Sequence, residues 1–276
     1  METISGLAAG VPFTALPPTQ PIDGPAPLII TWHMLDAPRT DAAFAAALPM
    51  AGVPAWRVHL GMPMCGARMP AAGVEAVLAL ARDDALTAFL APFVAQAVAE
   101  FPDALGALRD RLPVGDAPIG VLGASLGGAV ALEVLYAART PVQAVALVNP
   151  AVRVGSAVPL VEAMAGHPYQ WTARSREVAA GLDFVSRATE LTARPPVLLI
   201  SGEIDHPEFR TDAADLVAAL RARYPDPGAV EHVSVPDLAH PLADEPGLEP
   251  APPRPTAVAV DAILTRWFAE RITTGR

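Results

Sequence analysis

Lysine is missing altogether: all 19 basic side chains of this 276-residue chain are arginine, set against 29 acidic ones. The net charge of −10 excludes the dense cationic surface that a phosphate backbone requires, and with it a nucleic-acid partner. Cysteine is almost as scarce. A lone Cys65 can form neither an internal disulfide nor a cysteine-rich zinc site. No uninterrupted apolar run reaches the roughly 20 residues that a bilayer needs, so no membrane span is expected. The opening METISGLAAGVPF carries no basic residues ahead of its apolar ones, unlike a secretory leader, and a cytoplasmic location is expected. No H-E-x-x-H or clustered His/Asp pattern announces a metal, and no arginine motif announces a phosphate or coenzyme A handle. Neither metal nor cofactor is therefore expected.

What the chain does contain is an alternation of strand-like and helix-like patterns. Apolar runs at 28–32, 56–60, 119–122, 142–148, 197–202 and 230–235 read as buried strands. A short β-like piece at 10–15 precedes them. Helical spacing appears at 41–51 (capped by Thr40 or Asp41), 74–80, 85–112, 129–138, 211–224 and 256–271. The 85–112 stretch is expected to break near Pro92 and Pro102. Strands separated by helices of this length imply right-handed βαβ units and a mostly parallel sheet. Ligands then bind beyond the carboxyl ends of the strands. Residues 151–194 interrupt the alternation and read as a small helical cap. No repeat or linker divides the chain, so 1–276 is expected to be one α/β domain with that cap inserted.

One strand leads directly into Gly123-Ala124-Ser125-Leu126-Gly127-Gly128, and an alanine-rich helix pattern follows. A serine at such a strand-to-helix bend sits in strained backbone, and flanking glycines remove the Cβ atoms that would clash. The hydroxyl is lifted clear of the sheet. The helix start offers unpaired N–H groups, so the N–H of Leu126 can face a developing negative oxygen.

A serine hydroxyl is a poor nucleophile without a base, and the base needs an orienting carboxylate. Of six histidines, His240 follows the last strand and is the expected base. His232 lies mid-strand, His206 shapes a loop, and His167 falls in the cap. Asp205 in Ser201-Gly202-Glu203-Ile204-Asp205 is the expected acid, with Glu203 second and Asp237 or Asp244 behind it. A helix N-cap is the competing reading of Asp205.

Taken in order, GASLGG at 123–128, SGEID at 201–205 and LAH at 238–240 make the chain resemble the α/β-hydrolase superfamily. Within it the resemblance is to small bacterial carboxylesterases of the dienelactone-hydrolase and prolyl-oligopeptidase-like branches. It implies the α/β-hydrolase fold and the chain order Ser125, Asp205, His240 for nucleophile, acid and base. Where the family often shows His-Gly, this chain reads Trp32-His33-Met34-Leu35. The second oxyanion donor is therefore expected from Leu35, or failing that Met34, with His33 bracing the loop. Substrate contacts are expected from His33, Met62, Met64, Cys65, Ala124 and, in the cap, His167. The implied activity is hydrolysis of small to medium uncharged carboxylic esters. The same machinery would serve a thioesterase or acyltransferase, and a non-catalytic ligand-binding member of the fold is the remaining alternative.

Overall fold

The computed structural model describes residues 2–272, apart from the side chains of 164 and 165. Eight strands form one sheet: β1 (Ile4–Ala8), β2 (Val11–Leu16), β3 (Leu28–Trp32), β4 (Trp56–Leu60), β5 (Ile119–Ala124), β6 (Val142–Val148), β7 (Val197–Gly202) and β8 (Val230–Val235). Their spatial order is β1-β2-β4-β3-β5-β6-β7-β8. Every pairing from β4 to β8 is parallel, and β2 runs against both its neighbours. β3, β4, β5 and β7 are buried at every position, as a sheet covered on both faces demands.

The helices are α1 (Asp41–Ala47), α2 (Val74–Asp83), α3 (Ala91–Arg111), α4 (Leu126–Ala137), α5 (Val158–Ala165), α6 (Ala173–Gly181), α7 (Pro207–Arg221) and α8 (Pro255–Arg271). The period-two alternation of the strands divides the interior into two cores. Ile30 and Val121 point into one, with Phe101 and Leu105 of α3, Leu132 of α4 and Leu216 of α7. Ile29 and Leu122 point into the other, with Phe44 of α1 and Leu264 and Phe268 of α8.

Two sequence expectations are corrected. Structure begins before residue 10: β1 and β2 form a hairpin whose two loop residues, Ala9 and Gly10, have φ of 47° and 87°. Positive φ at both positions is what the right-handed twist of a two-residue hairpin requires. Exposed Leu7 and the glycine at position 6 hid the strand's pattern. The expected breaks at Pro92 and Pro102 do not occur. Pro92 sits where the π turn at Ala85–Leu90 passes into α3, and the wider turn accommodates a residue that has no N–H to give. Pro102 lies inside α3 on an exposed face, beside a surface cavity it lines with Val98. A π-helical turn at Ala85–Leu90 runs straight into α3, so Ala85–Arg111 is continuous for 27 residues. That is long and apolar enough to cross a membrane by length and composition, contrary to the reading of interrupted runs. Here Phe93, Val94, Ala97, Phe101 and Leu105 form its buried face.

Candidate active site

The bend between β5 and α4 puts Ser125 at φ 51° and ψ −120°, a conformation side-chain-bearing residues avoid. Close packing forces it. A Cβ on Gly123 would lie 2.2 Å from the Gly127 carbonyl oxygen, and one on Gly127 would lie 2.3 Å from that of Trp32. The Ser125 N–H donates to Val148, and its carbonyl accepts from Gly128 and Ala151. The strained turn is thus held from both sides, which keeps the Oγ at the carboxyl edge of the sheet.

The side chains of three separate strand ends meet there. Ser125 Oγ lies 2.8 Å from His240 Nε2, and His240 Nδ1 lies 2.8 Å from Asp205 Oδ1. A neutral imidazole in this chain donates from Nδ1 to the carboxylate and accepts the hydroxyl proton at Nε2. All three are buried, with Asp205 receiving a second hydrogen bond of 2.6 Å from the His206 N–H. The rings of Phe209 and His206 lie 4.9 and 5.4 Å from that of His240 and shield it. The rival acids stand elsewhere. Glu203 is exposed and accepts from Ser234, Asp237 is an exposed turn residue with φ 58°, and Asp244 pairs with Arg254. His232 bonds Ser201 on the strands.

Asn149, directly after the apolar run 142–148, is a residue that the sequence pattern does not single out. Its amide NH₂ donates to the carbonyls of Ala239 and His240, at 2.9 and 3.2 Å, and its Oδ1 accepts from the Gly202 N–H at 2.8 Å. One buried side chain therefore ties the ends of β6 and β7 to the loop carrying His240. Asn at φ 43° is the residue other than glycine best suited to that turn.

His33 braces the loop after β3. Its Nδ1–H donates to the Met34 carbonyl at 2.7 Å, and its Nε2 accepts from the Met62 N–H at 3.0 Å. Full burial pushes its pKa down to about 4, so the ring is neutral and this tautomer is fixed. Because the peptide is trans, pinning the Met34 carbonyl aims the Leu35 N–H the opposite way. Behind it, buried His59 bonds Thr31 Oγ1 at 2.8 Å, and burial lowers its pKa to about 3.

A cavity of about 370 Å³ opens over the serine. Leu35, Leu126, Met64 and Cys65 line it, together with α2, the π turn and α5. Burial raises the Cys65 thiol to about 12, so it stays protonated and serves as wall. Four expected substrate contacts do not line it. Met62 and Ala124 are fully buried in the two cores, where the strand-end alternation turns them inward. His33 lies beneath the loop it braces. His167, exposed, lines a separate cavity of about 220 Å³ between the end of α2 and the segment joining α5 to α6. The Met34 side chain is likewise buried in the α1–α8 core. The larger cavity of about 490 Å³, between α3, α4 and α6, does not reach the serine.

A mostly parallel sheet of this order, with a serine on the bend after β5 and its hydrogen-bonded imidazole after β8, defines the α/β-hydrolase fold. Solved structures give particular likenesses. The dienelactone hydrolase of Anabaena variabilis matches at 15% identity over 99% of this chain and 98% of its own, TM-score 0.59. Carboxyl esterase 2 of the fungus Tuber melanosporum matches at 14% identity over 99% and 86%, TM-score 0.57. The acylaminoacyl peptidase of Pyrococcus horikoshii matches at 12% identity over 99% of this chain but 42% of its own, TM-score 0.66. At such identities the likeness is one of fold. No family model and no curated protein sequence matches the chain.

Proposed function

We propose that this protein is a serine hydrolase that cleaves small to medium carboxylic esters through an acyl-enzyme on Ser125. The single observation behind the reading is the hydrogen-bonded series Ser125–His240–Asp205, 2.8 Å at each link. In it, His240 Nε2 takes the Ser125 proton as Oγ attacks the ester carbonyl. Asp205 holds the imidazole and stabilises its cationic form. The oxyanion is met by the N–H of Leu126, unpaired at the start of α4, and by that of Leu35, aimed by the His33 brace. His240 returns its proton to the departing alcohol. Water, deprotonated by the same imidazole, then releases the acid and restores the serine. Apolar lining and modest volume support an acyl or alcohol group of small to medium size. The esterase and dienelactone hydrolase among the similar folds support hydrolytic chemistry as the class.

A panel of p-nitrophenyl esters from acetate to palmitate, with a thioester alongside, tests the reading. Short esters are expected to turn over, and a fluorophosphonate probe is expected to label the protein. Ser125→Ala should lose labelling and fall by at least about 1,000-fold in kcat. A Ser125→Ala protein as active as the parent ends the proposal.

A further inference from the structure

Beside Ser125 itself, the wall of the cavity is apolar apart from Asp36, Arg39, His206, His240 and the Cys65 thiol. Their charges do not balance. Arg39 is ion-paired to Glu245, which also receives the Ala37 N–H, so its charge is answered from outside the cavity. His240 is held by Asp205. The Asp36 carboxylate has no such partner. Among the described residues no arginine pairs with it, and its side chain is 46% exposed. The ionisable ring beside it is that of His240, whose Nε2 lies 3.6 Å from Asp36 Oδ2, outside hydrogen-bond range.

That position has a direction. His240 Nε2 is the atom that hands a proton to the departing alcohol oxygen, so a carboxylate next to it stands on the alcohol side of the scissile bond. It follows Leu35 directly, on the loop that His33 fixes, so its backbone position beside the imidazole is set. We propose that Asp36 is a specificity-determining residue that selects esters whose alcohol carries a positive charge, such as an ammonium two carbons from the ester oxygen. The inference rests on the acyl-enzyme reading above and deepens it by naming the substrate class. The surrounding Met64, Leu35 and Phe209 surface takes the alkyl part of such a group, while the carboxylate meets its charge.

The test compares three acetate esters by pH-stat: acetylcholine, its uncharged isostere with carbon in place of the ammonium nitrogen, and the acetate ester of glycolate. The cationic ester is expected to exceed its isostere in kcat/KM by about fivefold, the scale of one part-exposed ion pair, with the anionic ester below both. Asp36→Asn should bring the ratio of cationic to neutral ester to about one, and Asp36→Glu should restore it. Raising the salt concentration on the unaltered protein should shrink the same ratio without any substitution. Fluorophosphonate labelling of Ser125 in each variant shows that the site is still assembled. Equal rates on the cationic and neutral esters, or a ratio that survives Asp36→Asn, overturn the proposal alone. Preference for the glycolate ester overturns it in favour of Arg39. Turnover of none of the three, with no labelling, overturns the hydrolase reading as well.

Discussion

Asn149 makes three hydrogen bonds with one amide and touches none of the reacting atoms. Its task is to hold the His240 loop at a fixed height above Ser125, so it is a positioning residue. Asn149→Ala strands two buried carbonyls and one N–H, for an expected loss of about 1–3 kcal/mol in stability by denaturant titration. Displacement of the imidazole should lower kcat by roughly 10- to 100-fold with little change in KM, read on a short p-nitrophenyl ester. The sequence did not advertise this. Asn before Pro is an ordinary stop to a strand, and only the fold brings residues 149, 202 and 239 together. Ser125, by contrast, was legible because its requirement is local: glycines at 123 and 127 are needed within one turn, wherever the partners lie. Met62 and Met64 mark the limit of such reading. Two residues apart, one is core and the other cavity wall, because the loop between them turns at Met64, φ 57°, and breaks the strand's alternation.

At the scale of the element, the loop after β3 depends on neutral imidazoles. His33 and His59 are fully buried, and burial depresses them from 6.5 to about 4 and about 3. The unfolded chain therefore binds protons that the folded chain refuses between pH 6.5 and the folded values. Their stabilisation is complete above pH 6.5 and is lost as pH falls through 4 and then 3. His33 alone accounts for up to about 3 kcal/mol of that fall. Unfolding free energies measured from pH 8 down to pH 4 should decline with a slope that flattens in His33→Gln, while Ser125→Ala leaves the slope alone. The strands themselves were plain in the sequence because a parallel sheet buried on both faces needs unbroken apolar runs. β1 was not, since an edge strand with one wet face gives half the signal in a five-residue span, whereas its partner β2 falls on the β-like piece at 10–15.

For the whole molecule, the cavity is shared between the sheet's carboxyl edge and the short helices of 151–194. Tyr169 joins the two: its hydroxyl donates to the Asp84 carboxylate, which also caps the π turn through the N–H groups of Leu86 and Thr87. Phe89 and Leu90 of that turn line the cavity. Tyr169→Phe should lower the melting temperature by a few degrees, in line with about 1 kcal/mol for one part-exposed hydrogen bond. It should also raise KM for the longer esters of the chain-length series more than it lowers kcat. The composition of this segment announced short helices, but its pairing with Asp84 joins residues 85 positions apart and has no signature in the sequence.

The order in which the three strand ends leave the ribosome has a consequence of its own. His240 comes 115 residues after Ser125 and 35 after Asp205. A nascent chain that has emerged just past β7 and its loop holds Ser125 and Asp205 but not the His240 that joins them. On the proposed mechanism the hydroxyl stays inert through most of synthesis and gains its base only when the loop after the final strand docks at the sheet's edge.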